Sequence, residues 1–595
     1  MLNLLRRFSG AYRRYFIIGP LAKLVEACFD LITPLVVASM IDNGVGARDM
    51  DSVVRHGLVL VAMAVVGISV TLICQKVAAL TSQGMGTDMR RELYAHINRL
   101  SFADLDRFGT PSLITRITND VNQVQLAIAM TIRMLIRWPF LAVGSMAAAL
   151  LIDVRLGLIF LVTTPLIAVV FWLVMAKSVP YFKSMQAKLD HVGLVQREGL
   201  SGVRVIRAFS REQHERERFA AAAADQAQTA IAVGKLSSVL NPVTFLVMNL
   251  GVCAILWSGG AAVNVGDLTQ GQVIAFVNYM TQTLLSIVYV ANMVVIFTKA
   301  SASASRINQV LACEPSITDT ASAPVALPAC ALEAAAVPAL RFDHVGFRYG
   351  SASADALDDI TLQLPVGGTL GIIGGTGSGK STLVSLLPRL YDVARGGVEV
   401  FGADVRAWPL HQLRGVIGMV PQTAQLVSGT VRSNLCWRKA NADDRELWRA
   451  LEVAQAADFV RVLEAGLDAP VEAGGKNFSG GQRQRLTIAR ALVGDPKILV
   501  LDDSSSALDL QTDARLRRAL RELAASSAKD PRPDAPVPLT TVIVSQRVSS
   551  VRDADLICVM RRGCAVGLGT HAQLLSTCDV YREICESQLE REEVA

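Results

Sequence analysis

Histidine is scarce in this chain of 595 residues, which holds seven, and none lies between His411 and His571. That gap withholds the usual neutral-pH proton carrier from a long stretch of the second half. The ten cysteines are scattered and form no Cys-x-x-Cys pair, which argues against a zinc site and a disulfide framework and fits a reducing cytosol for the second half. Basic patches interleaved with aromatics are missing and the net charge is only +6, so nucleic acid is not an expected partner. Charge itself is absent from one long stretch. Between Lys235 and Lys299 there is no Lys or Arg, and Asp267 is the only acid.

What is present is apolar surface. Half the residues (51%) are hydrophobic and the mean hydropathy is +0.38, high for a soluble protein. A bilayer-spanning helix needs about 20 mostly apolar residues. Six candidates lie at about 15–41, 56–80, 127–151, 157–178, 236–262 and 268–298. The segments 81–126 and 179–235 are long, helical in pattern and rich in Lys and Arg, so the positive-inside rule puts them in the cytoplasm. Both termini then face the cytoplasm. The opening MLNLLRRFSGAYRRYF places Leu, Phe and Tyr among Arg6, Arg7, Arg13 and Arg14, and reads as an interfacial amphipathic helix. No small-residue cleavage site follows a short apolar core, which disfavours a signal peptide. The expected organisation is a membrane domain over 1–314, an Ala- and Pro-rich linker over 315–340 and a soluble α/β domain over 341–595, with a low-complexity insertion at 526–538.

The soluble half carries phosphate-binding signals. GGTGSGKS (374–381) matches GxxxxGK[ST], follows the apolar run TLGII and precedes STLVSLL. The backbone of Gly374, Gly375, Thr376, Gly377, Ser378 and Gly379 would curl around phosphates at a helix N-terminus that continues through Thr382. Lys380 would reach the β- and γ-phosphates, and Ser381 would ligate Mg²⁺. Tyr349, in FRYG, is placed to stack on adenine. Gln422, in VPQ, follows another apolar strand and would approach Mg²⁺ and the attacking water. Asp502 ends ILVLD and would hold the metal through water. In NFSGGQRQR, Ser479, Gly480, Gly481 and Gln482 would present backbone N–H groups to phosphate at a second helix N-terminus.

The order FRYG, GGTGSGKS, VPQ, FSGGQ, ILVLDD, SALD resembles the nucleotide-binding domain of an ABC transporter, and six helices fused before it resemble a half-transporter of the exporter type. The resemblance implies a fold of six long membrane helices plus an α/β P-loop ATPase domain with a helical signature subdomain. It implies ATP and Mg²⁺ as cofactors, a multi-pass protein of the plasma (bacterial inner) membrane with a cytoplasmic ATPase domain, and contact with membrane lipid. It also implies that SGVRVIRAF (201–209) and the 106–119 region are coupling helices. In this family two nucleotide-binding domains close head to tail, each ATP lying between one chain's P-loop and the other's SGGQ.

Two positions depart from the family's pattern. A Glu that orients or deprotonates water follows the Walker B Asp in the family; here Asp503 stands there. One methylene less shortens the reach by about 1.5 Å, and errors of about 1 Å cost roughly 10²-fold in rate. A His that contacts the γ-phosphate is replaced by Gln546, which donates a hydrogen bond but carries no proton. The expectation is a chain that binds ATP, hydrolyses it poorly, and keeps its SGGQ for another subunit. It would be the degenerate half of a heterodimer exporting an amphipathic or hydrophobic small molecule, lipid or peptide, its partner carrying the Glu and the His. The alternatives are a homodimer with slow ATPase and an ATP-gated regulator or channel.

Charges inside membrane helices are functional suspects. Lys23, Glu26 and Asp30 lie on helix one, Arg133 and Arg137 on helix three; ion pairing between helices or snorkelling competes with a substrate-cavity role. Phe245, Met248, Phe276, Tyr279, Met280, Tyr289 and Met293 on the last two helices read as either an adaptable binding wall or ordinary packing.

Overall fold

The computed structural model describes residues 1–319, 324–325, 337–350, 354–528 and 537–594. Most of the expected 315–340 linker and the centre of the 526–538 insertion lie outside them. The chain divides into two compact units, one of residues 1–98 and 111–313, the other of 99–110 and 314–595.

In the first unit, six helices are long and apolar enough to cross a membrane: Gly10–Gly46, Met50–Ile97, Thr110–Ile152, Val154–Ser201, Glu212–Val265 and Gln270–Leu311, here called membrane helices 1 to 6. Helices 2 and 4 are 48 residues each, about 70 Å at 1.5 Å per residue, so they run far beyond a bilayer. Their starts are chemically marked. Asp49 accepts the N–H groups of Asp51 and Ser52, Asp153 accepts that of Leu156 at 2.9 Å, and Thr269 and Gln272 form a reciprocal capping box at helix 6. Asp153 alone separates helices 3 and 4, which makes their hairpin tight. Before helix 1, Leu2–Phe8 is a short helix that buries Leu4 and Phe8 and leaves Arg6 and Arg7 outside.

The core of this unit joins helix 6 to helices 1 and 4. Tyr279 Oη donates to the Leu31 carbonyl at 2.6 Å, and the rings of Phe160 and Phe276 lie 6.1 Å apart. Phe276, Tyr279, Met280, Met248 and Met293 are buried, so these five are packing, whereas Phe245 and Tyr289 remain exposed. Beyond the apolar spans, Asp120 is fully buried and accepts hydrogen bonds from Ser303 Oγ at 2.9 Å and Arg306 Nε at 2.8 Å.

The expected coupling segment at 106–119 is not one element. A helix spans Phe102–Phe108, started by the Ser101–Asp104 capping box and ended at Gly109, whose φ of 73° a side chain would strain. Residues from Thr110 onward already belong to membrane helix 3. The Phe102–Phe108 helix packs within the second unit, where Tyr391 Oη donates to Asp106 Oδ2 at 2.7 Å. At 201–209 the structure has the short helix Val203–Ala208.

The second unit is built on β1 (Pro338–Phe347), β2 (Leu357–Pro365), β3 (Thr369–Gly374), β4 (Arg395–Val400), β5 (Ala403–Asp404), β6 (Ile417–Val420), β7 (Gly429–Thr430), β8 (Pro470–Val471), β9 (Ile498–Asp502), β10 (Thr540–Ser545), β11 (Leu556–Arg561) and β12 (Cys564–Gly569). One sheet has the order β12-β11-β3-β10-β9-β6, parallel except for β12, and another β2-β1-β4-β5. β9 and β10 are buried along their whole length, the pattern of parallel strands covered on both faces. The pair β7–β8 sits among helices whose core includes Leu447, Leu451, Val460, Phe478 and Leu486.

Candidate functional site

The carboxyl ends of β3, β10, β9 and β6, adjacent in that order, gather most of the expected residues, at the edge where open parallel sheets bind ligands. The P-loop leaves β3. Gln546 follows β10 directly, Asp502 closes β9, and Gln422 lies two residues past β6. The loop turns through left-handed backbone at Gly377 (φ 77°) and Gly379 (φ 97°), where a side chain would strain, and Gly379 leads into the helix Lys380–Ser385.

Lys380 is buried and donates to the Gly374 and Gly375 carbonyls, both at 2.8 Å. Burial lowers the pKa of its ammonium, opposed by Asp503 and Asp502 nearby. Ser381 Oγ donates to Asp502 Oδ1 at 2.8 Å. Asp502 and Asp503 are both buried. Burial pushes both carboxyls above the usual carboxylate range; at Asp502 the Asp503 charge adds to the effect, and at Asp503 Lys380, Gln546, Arg547 and Gln422 oppose it. Two raised, adjacent carboxylates beside a serine hydroxyl suit a divalent cation, which would favour their charged forms. The chemistry of this donor set therefore fits Mg²⁺, and the glycine loop with Lys380 fits phosphate.

Asp503 has φ 46°, a rare conformation outside glycine, and its N–H donates to the Val544 carbonyl at 3.0 Å. Gln546 Nε2 reaches Asp503 Oδ2 at 3.4 Å. Tyr349 Oη lies 3.0 Å from Thr382 Oγ1, and its ring stands edge-on to Phe347 and Tyr391 while remaining 40% exposed. The tyrosine is thus tethered to the P-loop helix with surface left to stack.

Ser479–Gln482 form a separate cluster. Ser479 Oγ accepts the Gln482 N–H at 3.3 Å, and Gln482 Oε1 accepts the Ser479 N–H at 2.9 Å. This capping box starts the helix Gly480–Leu492 and leaves the exposed serine hydroxyl proton free for an external acceptor. Among the described residues, no hydrogen bond joins Ser479–Gln482 to the P-loop of the same chain.

Arg547 and Arg561–Arg562 were not singled out in the sequence. Arg547 lies near Asp503, and Arg561 and Arg562 line a groove of about 390 Å³ beside Gly375–Ser378. Arg547 follows Gln546 directly, so proximity along the chain was an available signal; for Arg561 and Arg562 it was not, because the pairing of β11 with β3 brings them there.

Residues 16–288 match the family model of the ABC transporter transmembrane region, and residues 357–506 that of the ABC transporter. An uncharacterized ABC transporter ATP-binding protein of Mycobacterium tuberculosis (strain H37Rv) is 37% identical over 596 residues, covering 99% of this chain and 98% of the relative. The chain belongs to the ABC transporter family. A second relative of this transporter, named a fatty acid ABC transporter ATP-binding/permease protein in M. tuberculosis (strain CDC 1551), is 32% identical over 505 residues, 85% of this chain and 76% of that one. The fold is that of a solved bacterial Atm1-family ABC exporter with ATP bound, at a TM-score of 0.76, 21% identity and 98% coverage of both chains. The transporter is a multi-pass membrane protein that fuses a six-helix permease region to a cytoplasmic ABC ATPase domain.

Proposed function

We propose that this transporter exports an amphipathic molecule as the degenerate-site half of a heterodimer. The observation that carries the reading is Asp503: an acid one methylene shorter than the family's glutamate, held next to Gln546 where the family has histidine. Ser381 and Asp502, with Gln422, would hold Mg²⁺, which supplies charge neutralisation on the phosphates. Lys380 and the loop backbone would bind and orient the β- and γ-phosphates, and Tyr349 would stack on adenine. Asp503 keeps negative charge near the metal without the reach of an efficient base. Ser479–Gln482 would complete the partner's site, supplying preorganised donors to transition-state charge. ATP binding closes the paired domains, the short cytoplasmic helices transmit the closure, and hydrolysis at the partner's site resets the cycle. The fatty-acid name of one relative is consistent with an amphipathic substrate.

The test is ATPase activity of the purified single chain against that of the chain co-purified with its partner, together with ATP-driven uptake by inverted vesicles. Slow turnover alone and fast turnover in the pair is the expected result. Robust turnover by the single chain that Asp503→Asn abolishes would instead favour a homodimer, and transport supported equally by a non-hydrolysable analogue would favour a gated channel.

A further inference from the structure

Membrane helices 1, 2, 3 and 6 pack around a charged cluster inside the first unit. Lys23 is buried and donates to Glu26 Oε2 at 2.5 Å, which also accepts from Thr71 Oγ1 of helix 2 at 2.5 Å. Arg137 of helix 3 lies 2.8 Å from Asp30 and 3.6 Å from Glu26. Gln282 of helix 6 donates to the Asp30 carbonyl at 2.9 Å. Arg133 precedes Arg137 on helix 3 by about one helical turn. So the ion pairing expected as one reading of these charges is present, but it does not balance. Glu26 and Asp30 are already engaged by Lys23, Thr71 and Arg137, and Arg133 makes no ion pair with an acid among the described residues.

Three further features lie at the surplus charge. The buried Nε–H groups of Arg133 and of Arg137 have no acceptor among the described residues. The helical hydrogen-bond pattern of membrane helix 3 is interrupted between Met134 and Arg137, while Leu135 and Ile136 keep right-handed helical dihedrals. Finally, an apolar wall begins beside the cations: the Arg137 guanidinium lies 4.7 Å from the Trp138 ring centre, Trp138 stacks on the exposed Tyr289 at 4.0 Å and 12°, and Met134 and Met293 pack with Trp138.

We propose that Arg133 and Arg137, backed by Lys23 and flanked by the Trp138–Tyr289 stack, form an intramembrane subsite for the anionic head of an amphipathic substrate, a carboxylate or a phosphate monoanion. This rests on the reading of the chain as an exporter of amphipathic molecules and narrows its substrate class. An anion adds to guanidinium donors that have no partner among the described residues, with its tail along the exposed ring of Tyr289, which Trp138 backs from the core. A cationic amphiphile would have to displace Arg137 from Asp30, so the cluster selects against it.

The experiment is calorimetric binding to the assembled transporter in phosphatidylcholine nanodiscs, corrected for empty nanodiscs, with laurate, dodecanol and dodecylammonium as probes. Laurate is expected to bind at least about tenfold tighter than dodecanol, and dodecylammonium no tighter than dodecanol. Arg133→Gln is the informative variant, because Arg133 has no acid partner among the described residues to leave unpaired; it should remove most of the laurate preference, Arg133→Lys should restore part of it, and Lys76→Gln, an exposed lysine on helix 2, should change nothing. Equal binding of laurate and dodecanol, or a preference that survives Arg133→Gln, overturns the proposal. Phosphatidylglycerol in the nanodisc separates the sources. Suppression of laurate binding identifies a lipid headgroup at the cations, and undiminished binding identifies a free acid. ATP-driven uptake is measured in parallel: uptake without acid-selective binding sinks this subsite alone, whereas acid-selective binding without uptake of any probe sinks the exporter reading and leaves the subsite.

Discussion

Gln546 Nε2 donates a hydrogen bond to Asp503 Oδ2 at 3.4 Å, so the two residues that depart from the family's pattern touch each other. Strand register explains the contact. Val544 of β10 pairs with Asp502 of β9, so the residues immediately after both strands lie side by side at the sheet edge. Gln546 occupies a carboxylate oxygen that a water would otherwise approach, and it can neither take up nor release a proton.

In the assembled transporter, Asp503→Ala should change steady-state ATPase only modestly, whereas Ser479→Ala should lower it by roughly 10²–10³-fold, the effect of removing one preorganised donor. Equal damage from the two changes would mean that both sites are catalytic.

Restoring the family's residues tests the same asymmetry from the other side. Asp503→Glu with Gln546→His should raise hydrolysis at this chain's site, by up to roughly 10²-fold if a misplacement of about 1 Å is what limits it, and only as far as the partner's signature allows. Single-turnover assays with the partner's own site inactivated would read it. A rate no higher than that of the unmodified chain counts against reach as the cause.

Nucleotide-free stability should carry the mark of the crowded acids. Burial raises the Asp503 pKa in the fold, so the folded state favours the protonated form. The resulting stabilisation is present at low pH and is lost as pH rises through the folded pKa. Asp503→Asn should therefore raise the melting temperature of the ATPase domain at pH 7.5, with the gain shrinking as pH falls through that raised pKa. A lower melting temperature at pH 7.5 would contradict this.

Tyr349→Ala should weaken ATP binding by about 1–3 kcal/mol through loss of stacking. Tyr349→Phe keeps the ring and loses only the bond to Thr382, at about 1 kcal/mol or less. Equilibrium binding with a fluorescent ATP analogue distinguishes them; equal losses would make the hydroxyl, not the ring, the important group.

Asp120→Ala should destabilise the membrane unit by about 3 kcal/mol, the low end for breaking a buried pair, since Arg306 keeps access to solvent at 46% side-chain exposure. Thermal unfolding in detergent would show this as a lower midpoint, with Asp120→Asn costing less.

The membrane helices and the P-loop were legible in the sequence because each is a contiguous signal. A run of about 20 apolar residues suffices for a span, and TLGII-GGTGSGKS carries strand, loop and helix start in one stretch. The cytoplasmic 106–119 segment was less legible. Its helix begins at Phe102 because Ser101 and Asp104 cap each other, a cue overshadowed by the basic pattern around it.

By itself the sequence determined that six apolar spans precede a P-loop domain with an SGGQ element, and that Asp503 and Gln546 stand where the family has Glu and His. These follow from hydrophobicity and from motifs whose atoms act through adjacent backbone. Only the tertiary structure decided which distant residues meet: Asp503 with Gln546 through the register of β9 and β10, and Arg137 with Asp30 through the packing of membrane helices 1 and 3. It also decided that Phe276 and Tyr279 are buried packing while Tyr289 stays exposed against Trp138. The physical reason is that register and helix rotation are set by the sum of many packing contacts between segments far apart in the chain, and no local pattern encodes that sum.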